Sequence, residues 1–509
     1  MKNNFILHAF LIIFLFVADS LFAQPVFIKD SLDNYVKEAM NYWEVPAVSI
    51  AIVKDGKIVL LKAYGTKGIH SKELVDENTL FMIGSNTKLF TATALAIAEQ
   101  EKKLSLTDKA NKWLPYFKLK DTLAGRSTNI KDLLSHRLGF ETFQGDFTYW
   151  NSKLSRQEVV KKMALLQAPY EFRTTWGYSN AAFVACGEIL KAATGQSWEN
   201  YIQSKILLPL NMNNTLMLCE NIKTAKNIAL PHSIINDTLK QIEYANIDNL
   251  APAGSMSSNA KDLSNWLITQ LENGSFNNKQ VIASNAILTT RIPQSILGID
   301  NKPQQQTHFY TYGLGVLITD RANKLVYNHT GGVNGFTSFI GFIPEEKLGV
   351  VVLTNTDQNN LYNDLGTQIL DAYLNIPFQN YSKNSFKLYQ QQLAQQKIFA
   401  DSLRAIVAKK NQPPLPLDQF TGEYSNEVYG KISITKNNDH LILHFSNHAI
   451  LTATLHYLKN NTFLCDYSDS IYGSALEFPF VLENGKVKEF TLSVSNFVEN
   501  KTYTFTKTK

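Results

Sequence analysis

The sequence has little of several features that mark common classes of protein. It holds three cysteines in 509 residues, namely Cys186, Cys219 and Cys465. Such a low, odd number excludes a dense disulfide framework, and no Cys/His cluster has the spacing of zinc ligands. The formal net charge is only +5, and the basic residues form no patch, which argues against a nucleic-acid partner.

What the sequence does have is the composition of a globular protein. Hydrophobic residues make up 44% and charged residues 18%, which is enough apolar surface to bury a sizeable core and unlike a disordered chain. At roughly 100–200 residues per domain, the length allows two or three domains.

Long apolar runs are also absent, except at the N-terminus. Lys2 precedes an apolar run over residues 5–17, and Ala23 then offers a small residue before Gln24. The run is shorter than the ~20 residues that a membrane-spanning helix needs. The pattern therefore favours a cleaved signal peptide, residues 1–23, over a membrane anchor. It predicts an exported protein with no stable membrane span after cleavage and, since no cysteine follows the cleavage point, no lipid anchor.

The order of the elements predicts how the main domain is built. A helix near residues 31–43 precedes two β-rich runs, 48–53 and 58–61, around an Asp55-Gly56 turn, which is typical of a hairpin. A helix that is apolar nearly all round follows Ser85, and residues 105–300 are mostly helical. The pattern then returns to strands over residues 312–319, 324–328, 337–343 and 348–354. This order predicts an α/β fold in which both ends of the domain form one sheet, with a helical section inserted and a cleft between the two.

A second domain follows. Residues 385–410 read as a helix that ends before Pro413 and Pro414. From Asp418 onward only short strands and turns occur, which predicts a small all-β domain closed as a barrel. The predicted division is a main domain over residues 24–378, a helical linker over 379–414 and the all-β domain over 415–509.

Ser85 and Lys88 are the first candidate pair for catalysis. A serine hydroxyl hardly ionises at neutral pH and needs a base within hydrogen-bond reach. Residues three apart share a helix face, so Lys88 is expected to point its amine at Ser85. Burial would disfavour its ammonium form and lower its pKa, as a base requires. The alternative is that Ser85 is only a helix cap and Lys88 a solvated residue.

Two further elements accompany this pair. Tyr178 and Asn180 lie before a predicted helix over residues 181–194, where the tyrosine can share proton transfer with Lys88 and the amide can bind a substrate amide. Taken alone, they also fit a packed tyrosine and a helix cap. The stretch His329-Thr330-Gly331-Gly332 closes a predicted strand, and its glycines allow a substrate to approach the edge. The backbone N–H groups of Ser85 and Gly332 are the candidate oxyanion hole; a purely structural role is the alternative for His329.

The three elements together resemble the serine β-lactamase and penicillin-binding protein superfamily. Ser-x-x-Lys, Tyr-x-Asn and a Lys-Thr-Gly-like triplet occur in order, and the Tyr-x-Asn form is similar to the class C branch with its D-alanyl-D-alanine carboxypeptidase and esterase relatives. The segments 130–136, 176–180, 253–258, 312–315 and 329–336 are similar too, so the resemblance spans about residues 30 to 375. The strands over 415–509 resemble the lipocalin-like domain of unknown function that often follows such hydrolases.

The resemblance implies a β-lactamase-like fold and roles for the candidate residues. Ser85 is then the acylated nucleophile, Lys88 and Tyr178 share the acid and base roles, and Asn180, His329, Thr330 and Gly331 bind the substrate. No metal or cofactor is implied. His136 belongs to a segment of the family that is structural.

His329 stands where the Lys-Thr-Gly triplet of the superfamily has a lysine, and this difference narrows the range of expected substrates. Most relatives have a lysine there, a permanent cation for a substrate carboxylate, whereas a histidine of ordinary pKa is mostly neutral at pH 7. Carboxylate recognition should therefore be weaker or pH-dependent, which argues against an efficient β-lactamase.

The sequence thus predicts a hydrolase for an amide or ester bond in a D-amino-acid peptide, an ester or a β-lactam-like substrate, with cell-wall-derived molecules among the candidates. A periplasmic location is expected, and an extracellular one is the alternative. The alternative is a penicillin-binding or peptidoglycan-sensing protein that keeps the fold but turns over little.

Overall fold

An antiparallel sheet of eight strands forms the centre of the main domain in the computed structural model, which describes residues 24–300 and 306–508. The predicted signal peptide, residues 1–23, lies outside the described residues. The spatial order is β2-β1-β8-β7-β6-β5-β4-β3, so the N-terminal hairpin pairs with the last strand through β1 and β8. The strands are β1 (Ala47–Lys54), β2 (Lys57–Gly65), β3 (Ser295–Ile299), β4 (Phe309–Tyr312), β5 (Leu317–Arg321), β6 (Lys324–Val333), β7 (Phe336–Ile343) and β8 (Leu348–Thr354). The prediction of one sheet made from both ends of the domain is confirmed.

Helices cover both faces of this sheet, as the burial of its central strands requires. In β1, Val48 and Ile50 pack with the helices Leu32–Trp43 and Leu361–Tyr373, whereas Ala51 faces the opposite core. Successive side chains of a strand point to opposite faces. A strand that is apolar at nearly every position therefore needs a layer on each side, and this accounts for the run of hydrophobic residues in β1.

The helical section lies between β2 and β3. Its longest helices are Thr87–Gln100, Asn180–Thr194 and Ala260–Leu271. Phe90 and Trp266 stack at 4.2 Å between ring centroids and join two of these helices. The remaining α-helices of this section are Ala110–Trp113, Thr122–Ser127, Ile130–Leu134, Asp146–Tyr149, Arg156–Lys162, Trp198–Ile202, Ala251–Gly254 and Ser284–Thr290. Three short strand pairs join them: Phe81–Met82 with Ser257–Ser258, His232–Ile235 with Thr238–Gln241, and Ser275–Phe276 with Lys279–Gln280.

Two predicted strands have different bounds. The single strand predicted over residues 312–319 is wrong, because β4 ends at Tyr312 and β5 begins at Leu317. Gly315 between them has φ +72°, and a Cβ there would lie 2.7 Å from the Lys88 carbonyl oxygen, so the chain turns where it touches the Lys88 helix. The strand predicted over 324–328 continues to Val333 and so includes the whole stretch from His329 to Gly332.

The C-terminal part is a closed antiparallel barrel of eight strands. A long helix, Tyr381–Val407, connects it to the main domain. Its strands are β9 (Gly422–Asn426), β10 (Gly430–Asn437), β11 (His440–Phe445), β12 (Thr452–Lys459), β13 (Thr462–Tyr467), β14 (Leu476–Glu483), β15 (Lys486–Leu492) and β16 (Tyr503–Lys507). Buried aromatic rings fill its interior, with Tyr424 and Phe478 each packed against Phe490. The predicted barrel is confirmed.

The barrel packs directly on the helical section, and the buried apolar residues of both form one continuous core. Phe147 of the short helix Asp146–Tyr149 stacks on Tyr429 of the barrel with centroids 4.8 Å apart. The Trp150 carbonyl accepts hydrogen bonds from Tyr472 Oη and His448 Nε2, each at 2.9 Å. Within residues 24–300 and 306–508, no helix combines the length and the apolar character needed to cross a membrane.

Candidate active site

Ser85 and Lys88 come together at the start of the helix that follows β2 along the chain. Ser85 lies in a single 3-10 turn, Gly84–Asn86, and Lys88 lies in the first turn of the helix Thr87–Gln100. Lys88 Nζ is 3.0 Å from Ser85 Oγ. Ser85 is partly exposed, whereas the Lys88 side chain is completely buried. The hydroxyl is therefore open to the cleft and the amine is shielded from water.

The contacts of Lys88 suit an uncharged amine. Besides Ser85, Nζ contacts Asn180 Oδ1 at 2.7 Å and the Ala253 carbonyl oxygen at 2.8 Å. Both of these oxygens can only accept hydrogen bonds. A neutral amine therefore donates one N–H hydrogen bond to each of them and keeps its lone pair for the Ser85 hydroxyl. Burial holds the pKa of Lys88 well below its usual value, and only the Asp146 carboxylate opposes this shift.

Tyr178 lies on the other side of the serine. Its hydroxyl lies beside that of Ser85, and its ring centroid is 4.6 Å from Lys88 Nζ. Burial raises the pKa of Tyr178 far above neutral pH, so the residue is an uncharged phenol. His136 packs its ring on that of Tyr178 at 4.3 Å and accepts the Ser179 N–H at 3.0 Å, which fixes the position of the tyrosine.

Asn180 begins its helix and does not cap it; the cap is Ser179, whose hydroxyl accepts the Ala182 N–H. The Asn180 side chain is thereby free to bridge two buried groups. Its oxygen accepts from Lys88, and its Nδ2 donates to Asp146 Oδ2 at 2.5 Å.

The glycine-rich end of β6 closes the site. A Cβ on Gly84 would lie 2.8 Å from the Gly332 backbone nitrogen, and a Cβ on Gly331 would lie 1.9 Å from the Ile83 carbonyl oxygen. The strand end can therefore lie against the turn that carries Ser85 only because these positions have no side chain. This contact brings the backbone of Gly332 beside Ser85, while Thr330, one residue before Gly331, stays partly exposed on β6.

His329 is buried behind this strand end. Its Nδ1 lies 2.6 Å from the Thr330 carbonyl oxygen and therefore donates, while its Nε2 accepts from the Tyr312 hydroxyl at 2.9 Å. Burial lowers the pKa of His329 to about 3. With its pKa lowered and both ring nitrogens occupied, His329 favours the weaker of the two expected modes of carboxylate recognition over the pH-dependent one.

Residues that the sequence reasoning missed lie on the far side of Asn180 and on the barrel. Asp146 is buried and contacts Asn180. Glu499, in the β15–β16 connection, accepts the Gly145 and Phe147 N–H groups at 2.8 and 3.0 Å. Phe497 in the same connection is 40% exposed, and its ring would lie 3.5 Å from a Cβ on Gly332. No local motif marks these positions, since Asp146 begins a one-turn helix and the other two residues lie in a connection of the barrel.

Comparison with known proteins assigns the chain to a family. The family described as Beta-lactamase matches residues 32–374, more than half of the chain, and the chain therefore belongs to the β-lactamase family. Residues 408–507 match a family described as a domain of unknown function, DUF3471.

Two curated relatives are similar over most of this region. Protein flp of Staphylococcus aureus (strain COL) is 28% identical over 351 residues, which cover 67% of each chain. Unguisins hydrolase ungD' of Aspergillus campestris (strain IBT 28561) is 25% identical over 440 residues, which cover 80% of this chain and 78% of that protein.

Solved structures share the fold. The octameric penicillin-binding protein homologue from Pyrococcus abyssi superposes with a TM-score of 0.61 at 22% identity and covers 94% of this chain and 99% of its own. A D-stereospecific amidohydrolase from Streptomyces gives a TM-score of 0.53 at 19% identity over 67% of this chain and 98% of its own. The predicted β-lactamase-like fold followed by an all-β barrel is thus confirmed.

Proposed function

We propose that this protein is an exported serine hydrolase that cleaves an amide or ester bond through an acyl-enzyme on Ser85. The observation that carries the proposal is the set of contacts around Lys88. A buried amine of lowered pKa, with its two protons directed to Asn180 and Ala253, leaves its lone pair for the Ser85 hydroxyl.

The division of proton transfers follows from the two shifted pKa values. Lys88 is the base because its amine is neutral, and Tyr178 is a proton relay because its phenol does not ionise at working pH. In acylation, Ser85 Oγ bonds to the substrate carbonyl carbon and its proton passes to Lys88 Nζ. The carbonyl oxygen becomes an oxyanion, which the backbone N–H groups of Ser85 and Gly332 stabilise.

Collapse of this intermediate breaks the scissile bond. The leaving amine or alcohol takes a proton from the Tyr178 hydroxyl, and Lys88 returns the serine proton to Tyr178. Water then bonds to the ester carbonyl carbon and gives a proton to Lys88. The bond to Ser85 Oγ breaks, Lys88 passes that proton to Oγ, and the acid leaves. Asn180, Thr330 and Gly331 line the approach to the serine and bind the substrate in this scheme.

The substrate class follows from the same site. Neutral His329 supplies no cation for a carboxylate, so esters and peptides with D-amino acids fit better than penicillins. One similar protein is named as a hydrolase of unguisins, and a solved structure of the same fold is named as a D-stereospecific amidohydrolase; both support a hydrolase here. We place the chain in the class C-like branch by its Tyr-x-Asn motif, regard the barrel as lipocalin-like, and expect a periplasmic site of action.

Labelling with a serine-reactive fluorophosphonate probe tests this function. We expect the mature protein to gain one adduct by intact mass and Ser85→Ala to gain none. A panel of p-nitrophenyl esters, D-alanyl peptides and nitrocefin then separates the activities. An unlabelled wild type would refute Ser85 as the nucleophile, and an acyl adduct from a fluorescent penicillin that is never released would favour a receptor that binds without turnover.

A further inference from the structure

A carboxylate of the barrel reaches into the helical section behind the catalytic residues. Glu499 is completely buried, and its two oxygens accept the Gly145 and Phe147 N–H groups at 2.8 and 3.0 Å. Tyr503 of the barrel donates to both oxygens, at 3.0 and 2.8 Å. Gly145 precedes the short helix Asp146–Tyr149 and has no side chain to satisfy these N–H groups itself. The barrel therefore supplies the acceptor that fixes this turn.

The turn held by Glu499 carries the first member of a chain that ends at Ser85. Asp146, between the two N–H groups, accepts from Asn180 Nδ2 at 2.5 Å. Asn180 Oδ1 then contacts Lys88 Nζ at 2.7 Å, and Nζ contacts Ser85 Oγ at 3.0 Å. Every link before the serine is buried, so a displacement of the turn passes directly to the amine.

Electrostatic interactions also link Glu499, Asp146 and Lys88. The groups that face Asp146 are Glu499, Asn180, Lys88, Tyr149 and Tyr178, and those that face Glu499 include Tyr503, Tyr149 and Lys501. Burial raises the pKa of Asp146, and the Glu499 carboxylate raises it further. Burial raises the pKa of Glu499 to about 7. A neutral Asp146 does not stabilise the Lys88 ammonium, whereas an ionised Asp146 does.

We propose that Glu499 is a positioning residue for Lys88, and that the barrel in this way completes the catalytic machinery of the main domain. Glu499 holds the Gly145–Phe147 turn so that Asp146 orients Asn180, and its negative charge favours the protonated form of Asp146. This role rests on the proposed acylation of Ser85.

The test compares rates of Ser85 labelling by the fluorophosphonate probe from pH 5 to 9 in the full-length mature protein. Glu499→Gln removes the charge and one of the two acceptors. Without that charge the pKa of Asp146 falls, although burial still raises it, so Asp146 ionises at a lower pH than in the wild type. Its carboxylate then raises the pKa of Lys88, so the acid limb of the rate profile should move to higher pH. We expect labelling at pH 7 to slow by about 10- to 100-fold, the scale of a displaced catalytic group.

Two further variants accompany Glu499→Gln, one as a second test of the same role and one as a control. Tyr503→Phe removes a donor to Glu499, favours protonated Glu499 and should shift the profile in the same direction by less. Tyr472→Phe is the matched control: it removes one buried hydrogen bond across the same interface, but the Trp150 carbonyl keeps His448 as a donor. Its profile should match the wild type.

The outcomes separate the two proposals. Labelled wild type with an unchanged profile in Glu499→Gln and Tyr503→Phe overturns the positioning role alone. Loss of thermal stability in Glu499→Gln with a normal profile at temperatures where it is folded also overturns it, since that is what a merely structural contact predicts. No labelling of the wild type overturns the acylation and with it this role.

Discussion

Lys88 Nζ lies 2.7 Å from Asn180 Oδ1, and through this contact the amine that faces Ser85 is joined to a buried amide. An amide oxygen at this point accepts a hydrogen bond from the amine and carries no charge. The site can therefore stay neutral, which keeps the lone pair of Lys88 available as a base.

Asn180→Asp should damage catalysis through the charge at this contact. A carboxylate beside Nζ favours the ammonium form, and an opposite charge at this range shifts a pKa by about 1–3 units. Acylation depends on neutral Lys88, so its acid limb should move to higher pH and the rate at pH 7 should fall by about 10-fold or more. The measurement is the rate of probe labelling against pH. A slower rate with an unmoved acid limb would contradict the charge argument.

His329 should not titrate in the working range. With a pKa lowered to about 3, the ring is neutral throughout pH 5 to 8. The KM for an anionic ester should therefore follow that of a matched neutral ester over this range. A KM that rises selectively for the anionic ester as the pH passes about 6.5, the ordinary value for histidine, would show that His329 binds it as a cation.

The same shift has a consequence for stability. The unfolded chain binds a proton at His329 below about pH 6.5, and the folded protein does not, so folding loses stability as the pH falls. At pH 5 the loss is about 2 kcal/mol relative to pH 7.5. Urea unfolding should show that His329→Gln reduces the difference in the free energy of unfolding between these two pH values by about this amount. An equal difference in both proteins would place the pKa near its ordinary value.

Gly331→Ala should disturb the contact between the end of β6 and the turn that carries Ser85. The new Cβ would lie 1.9 Å from the Ile83 carbonyl oxygen, so the end of β6 must move away from Ser85. We expect a loss of about 1–3 kcal/mol in the free energy of unfolding, together with slower acylation. Gly298→Ala in β3 is the matched control, because nothing lies within 4 Å of its Cβ; it should change neither quantity. Equal behaviour of the two variants would show that β6 tolerates a side chain there.

Phe497→Ala should change substrate preference and leave the fold intact. The ring is 40% exposed and borders Gly332 beside the serine, so it offers an apolar wall to the group next to the scissile carbonyl. Removing it should raise KM for esters with a bulky apolar group by about 10-fold, and less for acetyl esters. Val481→Ala on the barrel, at a side chain of similar exposure, is the control. The same KM change for both classes of ester would indicate a general disturbance of the cleft.

Much of the architecture could be predicted from the sequence, because helical and β-rich patterns are set by residues close together along the chain. The alternation of β-rich and helical patterns predicted the hairpin, the inserted helices and the barrel. Where tertiary contact decided the backbone, local patterns failed: the chain breaks at Gly315, where it touches the Lys88 helix, and β6 continues past His329 because its glycines allow it to lie against Ile83.

The sequence by itself determined the family and the fold. It also determined the candidates Ser85, Lys88, Tyr178 and Asn180, because the short motifs that mark them can be recognised from local stretches of sequence. Only the tertiary structure decided which groups of the site are charged and which are neutral. A side chain shifts its pKa through what surrounds it, and the surroundings of Lys88 and His329 come from distant segments. Asp146 and Glu499 are the clearest case: they are 353 residues apart in sequence (499 less 146), and folding alone joins the barrel to the amine beside Ser85.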